Sequence, residues 1–392
     1  MTASRIPIRR PMPLALGIAL LAHELNAHGL RAQTLPPRPL GAIVTASADS
    51  FARSSVIRVL SDGHVLVNDP AARRIVLLDA SLAHPRVVAD TTGATSKAYG
   101  AGLIGLMPFP GDSSLTIDRT TGAAVVIAPT GVIARIIQRP RPVGFSMFSA
   151  SPDPYQFDQA GHFLTRAPSP FYLGLLPQDF VGDTLMVGPD SVAVIREDIA
   201  TRRMDTLVML KAVRNRQAVS RPAPGRGSGR SAFNPMPSGD DWTVLNDGTV
   251  AVVRVADYHI DWIGPDKRVV AGPKVPAQWT PVSPERKAAI IDSTRANLTY
   301  GGVLQQAVVQ PSDLPDFIPP FTTGFARADA AGNVWVRENH IGSVYDVIAR
   351  DGKLTDRVTL PAGSVVAGFG TAAVYFTRGN GLRVQLAKAA LR

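Results

Sequence analysis

The chain of 392 residues contains no cysteine. That excludes disulfides, thiolate metal sites, a cysteine nucleophile and lipid-modified cysteine. Only 18% of residues are charged and 6% are aromatic. Sharp catalytic signatures are missing as well: there is no Walker loop, no Gly-x-Ser-x-Gly elbow, no His-Glu-x-x-His and no calcium-loop pattern. Long apolar runs are scarce. The longest, Met12 to Ala22, falls short of the roughly 20 residues that span a bilayer. It follows Arg5, Arg9 and Arg10 and precedes Leu30-Arg31-Ala32, so residues 1–33 are expected to be a cleaved signal peptide, with an exported, periplasmic or extracellular product. No membrane span is expected in the mature protein. The formal charge of +10 falls to +7 once that leader's four arginines and one glutamate are removed. A moderately basic surface of this kind attracts anions without specifying one.

What the sequence has in quantity is turn chemistry and β-branched runs. There are 34 glycines and 33 prolines spread along the chain, and 45% of residues are hydrophobic. This composition favours many short strands over long helices. A hairpin grammar recurs at spacings of about 40–50 residues, the mark of a propeller or solenoid. In the first copy Val56–Leu60 leads through Ser61-Asp62-Gly63 to His64–Val67, then Arg74–Asp79 and Arg86–Ala89. Asp-Gly between apolar runs is a strong hairpin signal. Further copies start near Leu103, Tyr155, Trp242, Phe325 and Val365. The sixth stops one strand short, and Gly41–Thr45 at the other end of the mature chain is unassigned. Pairing the two would close a ring and protect its terminal edge. The expected fold is therefore all-β: residues 34–392 form a six-bladed β-propeller closed by an N-terminal strand, with a short helical insertion between blades four and five.

Two segments break the rhythm. Residues 213–240 carry Arg214, Arg216, Arg221, Arg226 and Arg230 among Pro, Gly and Ser, and are expected to be a basic flexible loop. Nucleic acid is not an expected partner, because only Phe233 offers a stacking surface nearby. Residues 274–323 read as a helical and Pro-rich insertion lying across one face of the ring. Ser283-Pro284 marks a helix start, with Ile291 and Leu298 on one side of that helix.

The blade motif Ala330-Ala331-Gly332-Asn333-Val334-Trp335-Val336, with Tyr345-Asp346-Val347-Ile348 and Asp351-Gly352, resembles bacterial secreted six-bladed propellers of the NHL-repeat and TolB-like type. Ser61-Asp62-Gly63 to Asp79 follows the same pattern, and the resemblance spans nearly all of the mature chain. It implies an architecture, and a fold alone does not imply a chemistry. The gluconolactonase-like propellers of this architecture hold a divalent metal on the central axis with carboxylate and amide side chains. No such ligand set aligns here residue by residue.

Candidate site residues follow from position within the blade. Second strands end at or near Arg119, Arg166, Arg254, Arg337 and Arg378, with Arg73 and Arg74 slightly later in blade one. Equivalent positions in a ring converge on one face, where guanidinium forks match carboxylate, sulfate or phosphate. The competing expectation pairs each arginine with a nearby acid such as Asp69, Asp118 or Asp257. His259 and His340, with Glu338, lie in loops on that same face and could serve acid–base chemistry or hold a metal. His64 and His162 occupy the same scaffold position in two blades and read as structural. The first expectation is a monomeric, non-enzymatic module that binds a protein or a small anionic or carbohydrate ligand and needs no cofactor. The alternative is a metal-dependent lactonase-like hydrolase with a divalent metal on the ring axis. The two differ in whether Asp, Glu, Asn or His side chains meet on that axis. The inner strands supply few beyond Asp158, Asn246 and Asp329, which sit beside turns.

Overall fold

The computed structural model describes residues 35–91, 102–118, 121, 123–138, 156–158, 160–167, 184–187, 190–213, 216–220, 228–304, 306–339, 342–379 and 381–391. The leader expected at 1–33, Arg119 and His340 lie outside the described residues. No helix among them is long and apolar enough to cross a membrane.

Six antiparallel sheets follow one another in chain order as the blades of a propeller. Their inner strands are Val56–Val59, Leu103–Phe109, Gln156–Phe157, Asp241–Val244, Arg327–Ala328 and Val365–Gly370. In each blade the second strand returns beside the first and the third beside the second, as period-two patterning with glycine turns demands. The Asp at the end of an inner strand fastens its turn. Asp329 accepts from the amides of Ala331 (3.0 Å) and Asn333 (2.9 Å), from Asn333 Nδ2 (2.9 Å) and from Trp335 Nε1 (3.0 Å). Asp158 accepts from the His162 amide at 2.8 Å and faces His162 Nδ1 at 2.8 Å. Both carboxylates are thus spent on hairpins at the turn side of the ring, and His162 is a scaffold residue.

The ring closes as the sequence suggests. Ile43–Ala52 pairs antiparallel with Arg383–Ala390 as the outermost strand of blade six. The closing strand is longer than Gly41–Thr45 and carries two register shifts. Ahead of it, Arg38–Pro39 adds a short parallel strand to the outside of blade five. Blades six and one meet closely. A Cβ on Gly368 would stand 3.2 Å from Ile57, and one on Gly370 3.3 Å from Val59. These two positions have room only for glycine unless the facing side chain shifts.

Apolar clusters fill the gaps between successive blades, so the core is a ring of six interfaces rather than one centre. The blade four–five cluster contains the fully buried Phe321, whose ring lies 5.4 Å from that of Tyr258. Phe321 belongs to the insertion, which is thereby anchored on the loop side of these blades. The helix α1 (Pro284–Asn297) begins as expected, with Ser283 Oγ accepting from the Arg286 amide at 3.3 Å and Pro at the start. Ile291 is fully buried and Leu298 packs beside it against Val308, Val309 and Leu314.

The basic segment differs from its expected form. Arg216–Ser220 pairs antiparallel with both Thr184–Val187 and Ser228–Ser231, making a three-stranded sheet outside the blades. The strands are only four or five residues long, Arg216–Ser220 and Ser228–Ser231 are mostly polar, and Thr184–Val187 lies well before them in the chain, so periodicity carried no signal of the sheet.

Candidate functional site

Inner strands of all six blades surround a cavity of about 720 Å³ on the ring axis. Its walls are largely apolar, from Val56, Met107, Phe157, Val244, Phe325 and Val366. Alternation along each inner strand sends every second side chain toward a neighbouring blade, and the inner edges that remain border the axis. Three amide side chains line it, Asn68, Gln156 and the exposed Asn246, and two of them tie blades together. Asn68 Nδ2 donates to Leu103 O at 2.8 Å, tying blade one to blade two. Gln156 Oε1 accepts the Val244 amide at 2.7 Å, tying blade three to blade four.

Two arginines line this cavity, Arg53 and Arg327, and no carboxylate does among the described residues. Arg327 Nη1 donates to Ala326 O at 2.7 Å and Gly324 O at 3.2 Å. Arg53 Nε donates to Gly381 O at 3.1 Å, and its Nη2 to Gly379 O. Backbone carbonyls orient both guanidinium groups without neutralising them. Arg337 stands close by: its guanidinium lies 4.8 Å from the centre of the Phe325 ring, itself a wall of the cavity, and Nε donates to Gly342 O at 3.0 Å. Stacking on an aromatic face also leaves the positive charge in place. Arg378 is exposed at the end of Ala373–Arg378, one residue from the carbonyl that receives Arg53.

The other arginines of the expected collar behave differently. Arg254 is held by Asp240 at 2.8 Å and Asp261 at 2.7 Å. Burial penalises its charge, but the hydrogen bonds it donates to both carboxylates, with their negative charge, outweigh that cost and its pKa is raised. Arg166 reaches the same corner, donating to Asp240 O at 3.3 Å. Arg74 lies 3.8 Å from Asp49, and Arg73 is exposed in the same turn with φ of 50°. Collar positions therefore divide: those of blades three and four converge on Asp240, while Arg337 and Arg378 of blades five and six meet no carboxylate among the described residues. Sequence reasoning missed Arg53 and Arg327. For Arg327 a signal existed, since it alternates with Phe325 on an inner strand. Arg53 had none, because its place depends on the closing strand leading into blade one.

His259 is clamped between Asp257 (Nδ1, 2.6 Å) and Asp261 (Nε2, 3.1 Å). Neither ring nitrogen is left for a ligand. Glu338 is buried and bound by Arg357, whose Nε also stands 3.2 Å from Asp346. Asp346 in turn accepts the Tyr258 hydroxyl at 2.6 Å. Burial, followed by the charge of Glu338, pushes Asp346 up to about 7. Burial likewise raises the Tyr258 phenol well above its ordinary value. This network lies inside the blade four–five interface, where Tyr258 also adopts a φ of 50°, rarely tolerated by a bulky residue.

No group of three or more His, Asp or Glu side chains among the described residues is placed to hold a metal ion. On the axis no carboxylate lines the cavity among the described residues, and the guanidinium groups of Arg53 and Arg327 repel a divalent cation.

No protein-family model matches the chain, and no curated protein matches it. Solved structures of similar outline include virginiamycin B lyase from Staphylococcus aureus, at 11% identity over 90% of this chain and 99% of that one, with a TM-score of 0.40. A gluconolactonase from Xanthomonas campestris covers the same shares at 11% identity and a TM-score of 0.39. The calcium-binding protein regucalcin from Agrobacterium tumefaciens covers 92% of this chain and 98% of its own, at 11% identity and 0.33. The six-bladed architecture rests on the sheet topology itself, and likeness at this level says nothing of activity.

Proposed function

We propose that this protein is an exported, monomeric, non-enzymatic binding module that captures a small anionic ligand at the axial mouth of the propeller. The observation that carries the reading is the pair Arg53 and Arg327 on a largely apolar cavity with no carboxylate among its described lining residues. A cavity of several hundred Å³ with a few convergent polar groups is the usual form of a small-molecule site. Guanidinium forks bind carboxylate, sulfate or phosphate through paired hydrogen bonds, and apolar walls strengthen that attraction by excluding water. The basic character of the whole chain adds attraction at longer range. Export rests on the features of residues 1–33.

Calorimetry with phosphate, sulfate, citrate and benzoate tests the proposal. At least one of these anions binds the wild type. Arg53→Ala and Arg327→Ala each weaken that binding about tenfold or more, in line with losing a charge-assisted pair. Raising the salt to about 0.5 M weakens it further. If all four anions fail to bind, or both variants bind as the wild type does, the axial reading is wrong. Lactone hydrolysis that depends on an added divalent metal would instead establish the lactonase-like alternative.

A further inference from the structure

A second cavity, of about 540 Å³, lies away from the axis, between the insertion and the loop side of blades three and four. Trp279 and Phe317 form part of its wall. Their rings meet edge to face, 6.3 Å apart and 88° inclined. Both remain open to solvent, at 38% and 46% exposure. The chain has four tryptophans, and the other three, Trp242, Trp262 and Trp335, are 3–5% exposed. Phe321, four residues beyond Phe317, is completely buried.

The aromatic pair is rigidly built. Ile318 N donates to Thr280 O at 2.9 Å and Val282 N to Asp316 O at 2.8 Å, with an antiparallel bridge between Pro281 and Phe317. Prolines at 276, 281, 315, 319 and 320 fix the backbone on both sides. A platform ordered before binding costs little further entropy when a ligand arrives.

Polar groups complete the cavity: Asp190 and Lys211 from blade three, and Ser312, Asp313 and Asp316 from the insertion. Their charges are partly compensated. Asp316 is paired with Lys287 at 2.6 Å, and Asp313 Oδ2 accepts the Gln310 amide at 2.8 Å. Asp190 shares its side of the cavity with Lys211. The combination of open aromatic faces, hydrogen-bonding carboxylates and a hydroxyl suits a ligand with an apolar face and a hydroxylated rim.

We infer that this cavity is a saccharide-binding site that takes a neutral pyranose ring. The ring's weakly positive C–H groups pack on the negative face of the Trp279 indole, with Phe317 holding that indole in place. Its hydroxyls donate to Asp190, Asp313 and Asp316 and accept from Lys211 and Ser312. The site is separate from the arginine-lined axis and does not depend on it.

Trp279 supplies its own reporter, because acrylamide, a neutral quencher, reaches an exposed indole far more readily than the three buried ones. Full-length protein is titrated with maltotriose, cellotriose and triacetylchitotriose while acrylamide quenching of tryptophan emission is followed. At least one trisaccharide protects Trp279. By calorimetry Trp279→Ala abolishes that binding, Phe317→Ala weakens it about tenfold, and Arg327→Ala leaves it unchanged. If Trp279→Ala fails to fold, wild-type protection together with Phe317→Ala decides. The inference is overturned if none of the three sugars protects Trp279 at about 10 mM. Protection by tetramethylammonium with the sugars inert overturns it too, assigning the cavity to an organic cation instead.

Discussion

The Asp241 carboxylate holds the amide of Phe325 at 2.9 Å, and the same oxygen takes the amides of Gly324 and Ala326 at 2.8 Å each. Asp241 opens the inner strand of blade four, and these three amides open that of blade five. One buried carboxylate therefore sets where Phe325 and Arg327 enter the axial wall.

Asp241→Ala removes that anchor, leaving the three blade-five amides without their acceptor and also losing the bond from the Trp242 amide. The expected loss is about 3 kcal/mol of stability in chemical denaturation, since hydrogen bonds to a charged group are worth about 1.5–3 kcal/mol each and the ends partly rehydrate. Asp241→Asn keeps a neutral acceptor and loses about half as much. Anion affinity at the axis falls in both variants. A change within about 0.5 kcal/mol for the alanine variant would show that blade five finds its place without the staple.

The Asp346–Glu338 pair gives stability a pH dependence of definite sign. Asp346 is pushed up to about 7 in the folded state by burial and by the charge of Glu338, and lies near its ordinary value of 3.8 when unfolded. The folded state thus binds more protons between those values. This contribution is fully present below about pH 4 and is lost as pH rises through about 7. Asp346→Asn, which cannot ionise, is free of the effect. Its stability relative to the wild type should rise by up to about 4 kcal/mol between pH 4 and 8, the free-energy equivalent of a shift of that size. Denaturation of both proteins across that range measures it, and parallel pH profiles would refute it.

Phe51 tests closure. It ends the N-terminal strand, is 2% exposed and packs between blades six and one. Phe51→Ala opens a cavity at the seam where the chain's two ends meet, at a cost of about 3–5 kcal/mol. Hydrogen exchange should show faster opening of Ile43–Ala52 than of the blade four strands, because the seam alone depends on pairing between the ends of the chain. Uniform acceleration around the ring would contradict a weak seam.

Much of the architecture could be read before any coordinates. The hairpins, the six copies, the Ser283 cap and the strand completing blade six follow from period-two patterning, Asp-Gly turns and propeller closure, all of which are local or counting arguments. The sheet made by Arg216–Ser220 could not be read, because its strands are very short, two of them are mostly polar, and the third, Thr184–Val187, pairs across a long gap.

The sequence by itself determined the repeat and the loops in which each arginine would lie. Only the tertiary structure decided which of those arginines met a carboxylate. Arg254 meets Asp240 and Asp261, whereas Arg337 meets an aromatic ring and a carbonyl. The physical reason is range. Strand and turn preferences act over a few residues, but the partner of a long cationic side chain is chosen by packing between elements far apart in the chain. Arg53, set against Gly379 and Gly381 across the closing seam, is the extreme case.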